Sequence, residues 1–286
     1  MRATTKLKNM LAAGRTIVAP GAFDGLSARL VEQAGFAAIY ASGGAMARAT
    51  GVPDIGLITP DEIAARLAAM VEVVSVPVIA DLDTGYGNAL NAQRAARAFE
   101  RAGVAAFHIE DQVFPKKCGH YDNKALIPAA EMVQKLKAVR DALQDLDFYV
   151  IGRTDAIAVE GFEAAIERAG AYIEAGADMI FVEAPTTEQQ IVDIAKRLPG
   201  FKLINMFHGG KTPLLPVERL EKIGYHVVVI PSDTQRAAIR AMQRVLETIA
   251  RDGSAGAMVG DMASFKEREE VVGTPAYLAR DRQYGA

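Results

Sequence analysis

The chain has 286 residues, half of them hydrophobic, and its 32 Lys and Arg nearly balance 35 Asp and Glu, giving a formal net charge of −3. This balance argues against binding to nucleic acid or to an anionic membrane surface, and no apolar run reaches the roughly 18 residues that span a bilayer. One cysteine cannot form an internal disulfide, and one cysteine with four histidines does not indicate a zinc site. The amphipathic amino terminus is a poor secretory signal. We therefore expect a cytoplasmic, single-domain enzyme.

Eight short apolar runs, each typical of a buried strand, alternate with longer alanine-rich segments. The runs cover residues 16–19, 37–41, 77–81, 105–110, 148–153, 178–183, 201–205 and 226–230. They are apolar throughout rather than alternating, as expected of strands that are covered on both faces. Helices are predicted between them, for example over 88–102, 129–143, 162–175 and 235–251.

Glycine recurs where a predicted helix passes into the next strand, at Gly35, Gly103, Gly176 and Gly224. Glycine there provides the left-handed cap that ends a helix. The repeated strand–helix unit predicts an α/β fold, a single (β/α)8 TIM-type barrel over 1–286 with a C-terminal helical extension from about residue 232. An open doubly wound sheet is the alternative. It is less favoured because no glycine-rich phosphate turn follows the first strand.

Two segments between a strand and the next helix are unusually long, 42–60 and 111–128. In a barrel such loops lie at the carboxyl ends of the strands, where active sites are found. Both are candidate lids, and we expect 111–128 to be the loop that gates the site.

Acidic residues gather at the same end of the predicted barrel. Asp81 and Asp83 follow the third strand, Glu110 ends the fourth, and Asp54 lies in the loop after the second. Hard oxygen ligands without a cluster of Cys or His suit Mg²⁺ or Mn²⁺. Any one of these acids could instead be an exposed loop charge or a helix cap, but their convergence favours a metal site.

Four further side chains follow strands or lie in the long loops. Cys118 stands beside two lysines, a glycine and a histidine, a setting that favours the thiolate, and it could act as nucleophile, proton donor or proton acceptor. Arg153 ends the fifth strand and suits a carboxylate or a developing oxyanion, unless it pairs with Asp155. Glu183 and Asn205 end the sixth and seventh strands, where they either orient catalytic groups or cap the following helix.

Five short segments occur in an order that resembles one enzyme superfamily. They are SGG at 42–44, DLDTGYG at 81–87, HIEDQ at 108–112, KKCGH at 116–120 and GRTD at 152–155. Together they resemble the isocitrate lyase/phosphoenolpyruvate mutase superfamily. The KKCGH run resembles its lyase branch, which comprises isocitrate, 2-methylisocitrate and 2,3-dimethylmalate lyases. The carboxyphosphonoenolpyruvate mutase type shares much of the pattern.

The resemblance implies a Mg²⁺-dependent carbon–carbon lyase. It would cleave a 2-hydroxy di- or tricarboxylate, of the 2-alkylmalate or methylisocitrate type, to an α-keto acid such as pyruvate plus a carboxylate. Asp83 would bind the ion, for which Mn²⁺ can substitute, and Asp54, Asp81 and Glu110 would hold it mostly through waters. The resemblance also implies a homotetramer in which a C-terminal helix is exchanged between paired subunits.

Site residues are implied in the same way. Cys118 would protonate the carbanion left after cleavage, Arg153 would bind the oxygen that becomes the keto group, and His120 and Glu183 would orient the catalytic groups. Substrate binding is implied for Ser42, Gly43, Gly44, Asp81, Gly119, Arg153, Asn205 and His208.

Two positions depart from the pattern of the lyases that the chain resembles. His208 stands where they commonly carry an acid, and Ser232 stands where they carry leucine. Both positions are expected near the distal part of the substrate, so they affect substrate choice. A phosphonomutase, an oxaloacetate decarboxylase or hydrolase, and a non-catalytic keto-acid sensor therefore stay open as alternatives. Cys118 favours the lyase, because a sensor or a P–C transfer has no evident need for a carbon acid.

Overall fold

A computed structural model describes residues 1–119, 121 and 123–285. In it, eight parallel strands close into a barrel, and their order around the barrel is their order along the chain. The strands are β1 (Ile17–Ala22), β2 (Ile39–Ala41), β3 (Val78–Asp81), β4 (Ala106–Glu110), β5 (Tyr149–Thr154), β6 (Met179–Val182), β7 (Phe201–Asn205) and β8 (Val227–Ile230). β8 pairs with β1, with Val227 opposite Ile17, and this closes the ring. The TIM-type barrel predicted from the sequence is confirmed, and the open sheet is excluded.

Helices surround the barrel and continue beyond it. They are α1 (Ala3–Ala12), α2 (Gly25–Gln33), α3 (Gly43–Ala49), α4 (Pro60–Val73), α5 (Ala89–Ala102), α6 (Ala129–Ala142), α7 (Phe162–Glu174), α8 (Glu188–Arg197), α9 (Val217–Ile223), α10 (Asp233–Asp252), α11 (Phe265–Val272) and α12 (Thr274–Tyr284). Short 3₁₀ turns lie at Ala156–Ala158 and Gly256–Asp261. α11 and α12 form the helical C-terminal extension. Within the ranges described, no helix is both long and apolar enough to cross a bilayer.

The ends of the helices follow from side-chain and glycine caps. The Asn88 side chain accepts hydrogen bonds from the amides of Leu90 and Asn91, so α5 begins one residue later than predicted. Each of the four glycines expected between a helix and a strand has a left-handed backbone, with φ between 86° and 110°, at Gly35, Gly103, Gly176 and Gly224. The glycine repeat therefore does set the passage from helix to strand.

The segment 42–60 differs from the expected loop, because its first part is the helix α3. The Ser42 hydroxyl caps this helix by accepting from the amide of Ala45 at 3.3 Å. Two glycines open α3, and their low helix propensity masks it in the sequence. The helix matters for function because its first turn lies against the acidic residues described below.

Two apolar clusters hold the barrel. One lies between the strands and the surrounding helices, and the other fills the inside of the barrel with alternate residues of the strands, such as Ile79, Ile151 and Leu203. Leu7 and Leu11 of α1 join this inner cluster, and they are 0% and 2% exposed. Because α1 packs on the inner cluster, it closes the amino-terminal end of the barrel, and polar groups can gather only at the other end.

Gly21 and Gly170 give a matched test of packing. A methyl group at Gly21 in β1 would overlap the backbone carbonyl of Pro231, whereas one at Gly170 in α7 meets nothing within 4 Å. We expect Gly21→Ala to lower the free energy of unfolding by at least about 1–3 kcal/mol through overpacking. Gly170→Ala should raise it by about 0.5–1 kcal/mol. Urea denaturation measures both, and equal effects of the two changes would contradict the close approach of β1 to Pro231.

Candidate active site

A single cavity at the carboxyl ends of the strands collects most of the residues expected from the sequence. Its lining is polar on the β3 to β7 side and more apolar near β8. The lining residues are Tyr40, Ser42, Gly44, Arg48, Asp54, Asp81, Lys116, Cys118, Gly119, Arg153, Glu183, Asn205, Phe207, Pro231 and Ser232. Parallel strands account for this convergence, because all of their carboxyl ends meet at one mouth of the barrel.

The start of α3 lies directly against two carboxylates. A Cβ atom at Gly43 would come 2.6 Å from Oδ2 of Asp81, and one at Gly44 would come 2.6 Å from Oδ2 of Asp54. Glycine is therefore required at both positions if the acids keep their places. The amino-terminal end of α3 therefore lies beside the two acids, and a helix amino terminus favours negative charge nearby.

Lys116 places a cation inside the acidic cluster. Its Nζ lies 2.6 Å from Oδ1 of Asp54 and 3.0 Å from Oδ1 of Asp83, and the lysine is 5% exposed. Burial, reinforced by Asp81 and Asp54, raises the pKa of Asp83 to about 7 against the opposing pull of Lys116. Asp83 itself has a left-handed backbone, with φ of 50°, which turns its carboxyl back toward the cluster.

His108 ties the acids to the interior of the barrel. Tyr40 Oη lies 2.7 Å from Nε2 of His108, and that nitrogen lies 3.6 Å from Oδ1 of Asp81. Burial lowers the pKa of His108 to about 4 although Asp81 opposes the shift, so the ring is neutral near pH 7. One candidate ligand atom from each of Asp81, His108 and Glu110 lies within 4.8 Å of the others.

These acids fit a hard divalent cation. The ammonium group of Lys116 lies among four carboxyl groups, those of Asp54, Asp81, Asp83 and Glu110. The cluster therefore accepts positive charge. Carboxylate oxygens are the ligands that Mg²⁺ and Mn²⁺ prefer. The arrangement is therefore the one expected for a metal held at the mouth of the barrel.

Arg153 is held rigidly at the end of β5. Its Nε donates to Oδ2 of Asp155 at 2.9 Å, Nη2 donates to Oδ1 of Asp155 at 3.2 Å, and Nη1 lies 3.2 Å from Oε2 of Glu110. The guanidinium also lies over the ring of Phe181, at 5.0 Å from its centroid. Although burial opposes ionisation, Arg153 and Lys124 lower the pKa of Asp155 to about 2. Arg153 thus both pairs with Asp155 and lines the cavity.

The loop after β4 brings Cys118 and Gly119 into the same cavity. Cys118 is half-buried, and the backbone of Gly119 packs on Arg153 and Glu183. Gln112 fixes the start of this loop, since its side chain donates to Oε1 of Glu110 and to the carbonyl of Lys117, both at 2.9 Å. Cys118 thereby lines the same cavity as Arg153, Asp54 and Asp81.

The wall of the cavity after β7 and β8 carries Ser232, one of the two residues in which the sequence departs from the lyase pattern. Asn205 ends β7, Phe207 follows it, and Pro231 and Ser232 follow β8. Ser232 is 5% exposed, and its hydroxyl has no hydrogen-bond partner among the parts of the chain described here. A hydroxyl so placed is available to a ligand in the cavity.

Four of the expected site residues that the structure describes do not line this cavity. Three of them, Gly43, Asp83 and Glu110, lie next to lining residues, namely Asp81, Lys116 and Arg153. The side chain of His208 is 68% exposed, and its Nδ1 lies 3.2 Å from Oδ2 of Asp233, outside the lining. His120 lies outside the described residues.

The structure also adds residues that sequence reasoning missed. Tyr40 and His108 belong to the inward-facing series of their strands, so a strict period of two along β2 and β4 could have identified them. Lys116, Lys124 and Arg48 carry no comparable signal, since each lies in or beside a loop whose path only the folded chain determines.

A closed barrel with carboxylates, a buried arginine and a thiol at one mouth defines a TIM-barrel enzyme that handles small carboxylates. The family model described as phosphoenolpyruvate phosphomutase matches residues 7–250. The chain belongs to this family, and thus to the isocitrate lyase/PEP mutase superfamily, as its motifs predicted.

Similar proteins span nearly the whole chain. It is 41% identical to 2,3-dimethylmalate lyase of Eubacterium barkeri over 96% of this chain and 95% of that protein. It is 43% identical to 2-methylisocitrate lyase of Bacillus subtilis strain 168 over 97% and 91% of the two chains. The crystal structure of a 2,3-dimethylmalate lyase superposes with a TM-score of 0.95 at 34% identity, covering 100% and 96% of the two chains. Phosphonopyruvate hydrolase, solved with oxalate and Mg²⁺, gives 0.90 at 33% identity, covering 99% of each chain.

Proposed function

We propose that the protein is a Mg²⁺-dependent carbon–carbon lyase. It cleaves a 2-hydroxy di- or tricarboxylate, of the 2-alkylmalate or methylisocitrate type, to an α-keto acid such as pyruvate plus a carboxylate. The observation that carries this proposal is the presence of Cys118 in one cavity with Arg153 and with two members of the acidic cluster, Asp54 and Asp81. Cleavage beside a hydroxyl needs these three functions together.

Four acidic residues form the proposed metal site. Asp83 would bind Mg²⁺, with Mn²⁺ able to replace it, and Asp54, Asp81 and Glu110 would hold the ion mostly through waters. Bound there, the ion would supply Lewis acidity that stabilises negative charge on the substrate. Support comes from the donor set and from the relative that was solved with Mg²⁺.

The chain's own residues bind and orient the keto-acid half of the substrate. Ser42 and the glycines at the start of α3 present a hydroxyl and amides to its carboxylate. Arg153, kept charged by Asp155 and Glu110, stabilises the oxygen that becomes the keto group. Because both groups are fixed by neighbouring contacts, little reorganisation is needed when charge develops on that oxygen.

Cys118 completes the reaction. When the C–C bond breaks, its electron pair stays on the departing carbon, and that carbon must take up a proton. The Cys118 thiol donates that proton, forming a new C–H bond and leaving a thiolate, while a carboxylate of the acidic cluster takes up the proton that the substrate hydroxyl loses as its oxygen becomes the keto group. The segment 111–128, which carries Cys118, gates the cavity and keeps water away from the carbanion.

An assay of α-keto acid release from a panel of candidate substrates tests the function directly. We expect the enzyme to release an α-keto acid from at least one of the 2-alkylmalates, 2-methylisocitrate or isocitrate. EDTA should abolish the release, and Mg²⁺ or Mn²⁺ should restore it. Asp83→Asn, which tolerates the left-handed backbone, should lower kcat/KM by about 10³-fold, because a metal supplies several kcal/mol of charge stabilisation. Asp141→Asn on the exposed face of α6 is the matched control.

Two outcomes would contradict the proposal. Turnover of phosphonopyruvate or oxaloacetate, with none of any hydroxy acid, would assign a mutase, decarboxylase or hydrolase instead. Full activity in a sample verified to be free of metal would reject the proposed role of the metal site.

Cys118→Ser tests the proton donor. A hydroxyl is a much weaker acid than a thiol, so we expect turnover to fall by about 10²–10⁴-fold. Binding of the keto acid and of Mg²⁺, measured by calorimetry, should stay close to the wild-type value. Wild-type turnover of a good substrate by Cys118→Ser would exclude the thiol as the donor.

We also propose a cytoplasmic homotetramer in which a C-terminal helix is exchanged between subunits. α11 and α12 bury none of their described side chains, and Phe265 and Tyr277 are 73% and 59% exposed. Helices that bury nothing gain little from their own chain, so covering a neighbouring subunit would give them their stability. Sedimentation should give four times the 30.5 kDa mass of one chain. A monomer at micromolar concentration would contradict the proposal.

A further inference from the structure

Lys124 is a buried cation that the mechanism above does not use. It lies in the segment 111–128, between the tip that carries Cys118 and the start of α6. Its side chain is 1% exposed. Burial of a lysine is unfavourable unless charged or polar partners compensate, so its partners indicate what it does.

The first partner of Lys124 is Asp155. Nζ of Lys124 donates to Oδ1 of Asp155 at 2.6 Å, and the same oxygen accepts from Nη2 of Arg153 at 3.2 Å. Asp155 is itself fixed, because its amide donates to Oδ1 of Asp111 at 3.0 Å. One carboxylate therefore joins a lysine of the loop to the arginine that faces the cavity.

The second partner of Lys124 is the carbonyl of Gly119, to which Nζ also donates. Gly119 follows Cys118 directly, and it packs closely on Arg153. A Cβ atom at Gly119 would lie 2.5 Å from Nη2 of Arg153 and 2.9 Å from Cγ of Glu183. The Cys118–Gly119 segment thus has no room to shift toward Arg153, and the bond to Lys124 prevents a shift away from it.

We propose that Lys124 is a positioning residue, which sets the distance between the Cys118 thiol and the Arg153 guanidinium by bonding to the Gly119 carbonyl and to Asp155 at once. The idea rests on the proposed function, in which proton donor and oxyanion partner act on adjacent atoms of one substrate. Loss of Lys124 frees the thiol segment and removes one of the two cations that share Asp155. Misplacement by about 1 Å costs about 10²-fold in rate.

Lys124→Met tests this role, because methionine keeps the length and apolar volume of the side chain and removes the charge. The protein has one cysteine, so iodoacetamide reports on Cys118 alone. We expect the alkylation rate at its high-pH plateau, where the thiol is fully ionised, to rise at least tenfold. We expect kcat to fall about 10²-fold with less change in KM.

Lys137→Met, which removes an exposed lysine from α6, is the matched control and should stay within about twofold of wild type in both measurements. If circular dichroism shows that Lys124→Met is not folded, Lys124→Gln takes its place, since an amide can still donate to Gly119.

A purely structural role predicts a different result. It would lower the melting temperature and leave the plateau alkylation rate and the kcat of the folded enzyme at wild-type values, and that outcome would overturn the proposal. The alkylation measurement needs no substrate, so it tests Lys124 even if the panel shows no lyase activity. The wild type could show no lyase activity on the panel while Lys124→Met is still alkylated tenfold faster than the wild type. That result would reject the proposed reaction and support the positioning role.

Discussion

Excess negative charge, buried at one end of the barrel, is the constraint on which the site depends. Six carboxyl groups and four cations of the described residues surround or support the cavity. The acids are Asp54, Asp81, Asp83, Glu110, Asp155 and Glu183, and the cations are Arg48, Lys116, Lys124 and Arg153. Burial and like charge raise the pKa of Glu110 and Asp83, because too little positive charge is present to keep every acid ionised. A divalent cation would relieve this deficit, so the way in which the fold gathers acids supports the proposed metal site.

Much of this arrangement could be predicted because a barrel strand obeys a period of two. Along β3, β5 and β7 the inward series runs through apolar residues such as Ile79, Ile151 and Leu203. Two residues further on, each series reaches the mouth as a polar side chain, namely Asp81, Arg153 or Asn205. The ends of the predicted strands, together with the glycines between helices and strands, therefore predict both the barrel and the polar groups at its mouth.

The rest depends on contacts that no local pattern records. Lys116 and Lys124 look like solvated loop charges in the sequence, yet both are buried because acids from distant strands receive them. α3 is hidden by its opening glycines, whose small size is needed by Asp81 and Asp54 rather than by the helix. His208, by contrast, looks like a site residue from its place after β7, but its loop turns it toward Asp233 and solvent. In each case a tertiary contact outweighs local propensity.

The packing of α1 under the barrel leaves the cavity with one opening. With Leu7 and Leu11 sealing the amino-terminal end among the inner apolar residues, a molecule can enter or leave only through the mouth framed by the long loops. A cleavage reaction makes two products, and both must leave through the mouth by which the substrate enters. Substrate entry and product release in this barrel thus share one route, so an accumulating product meets incoming substrate there.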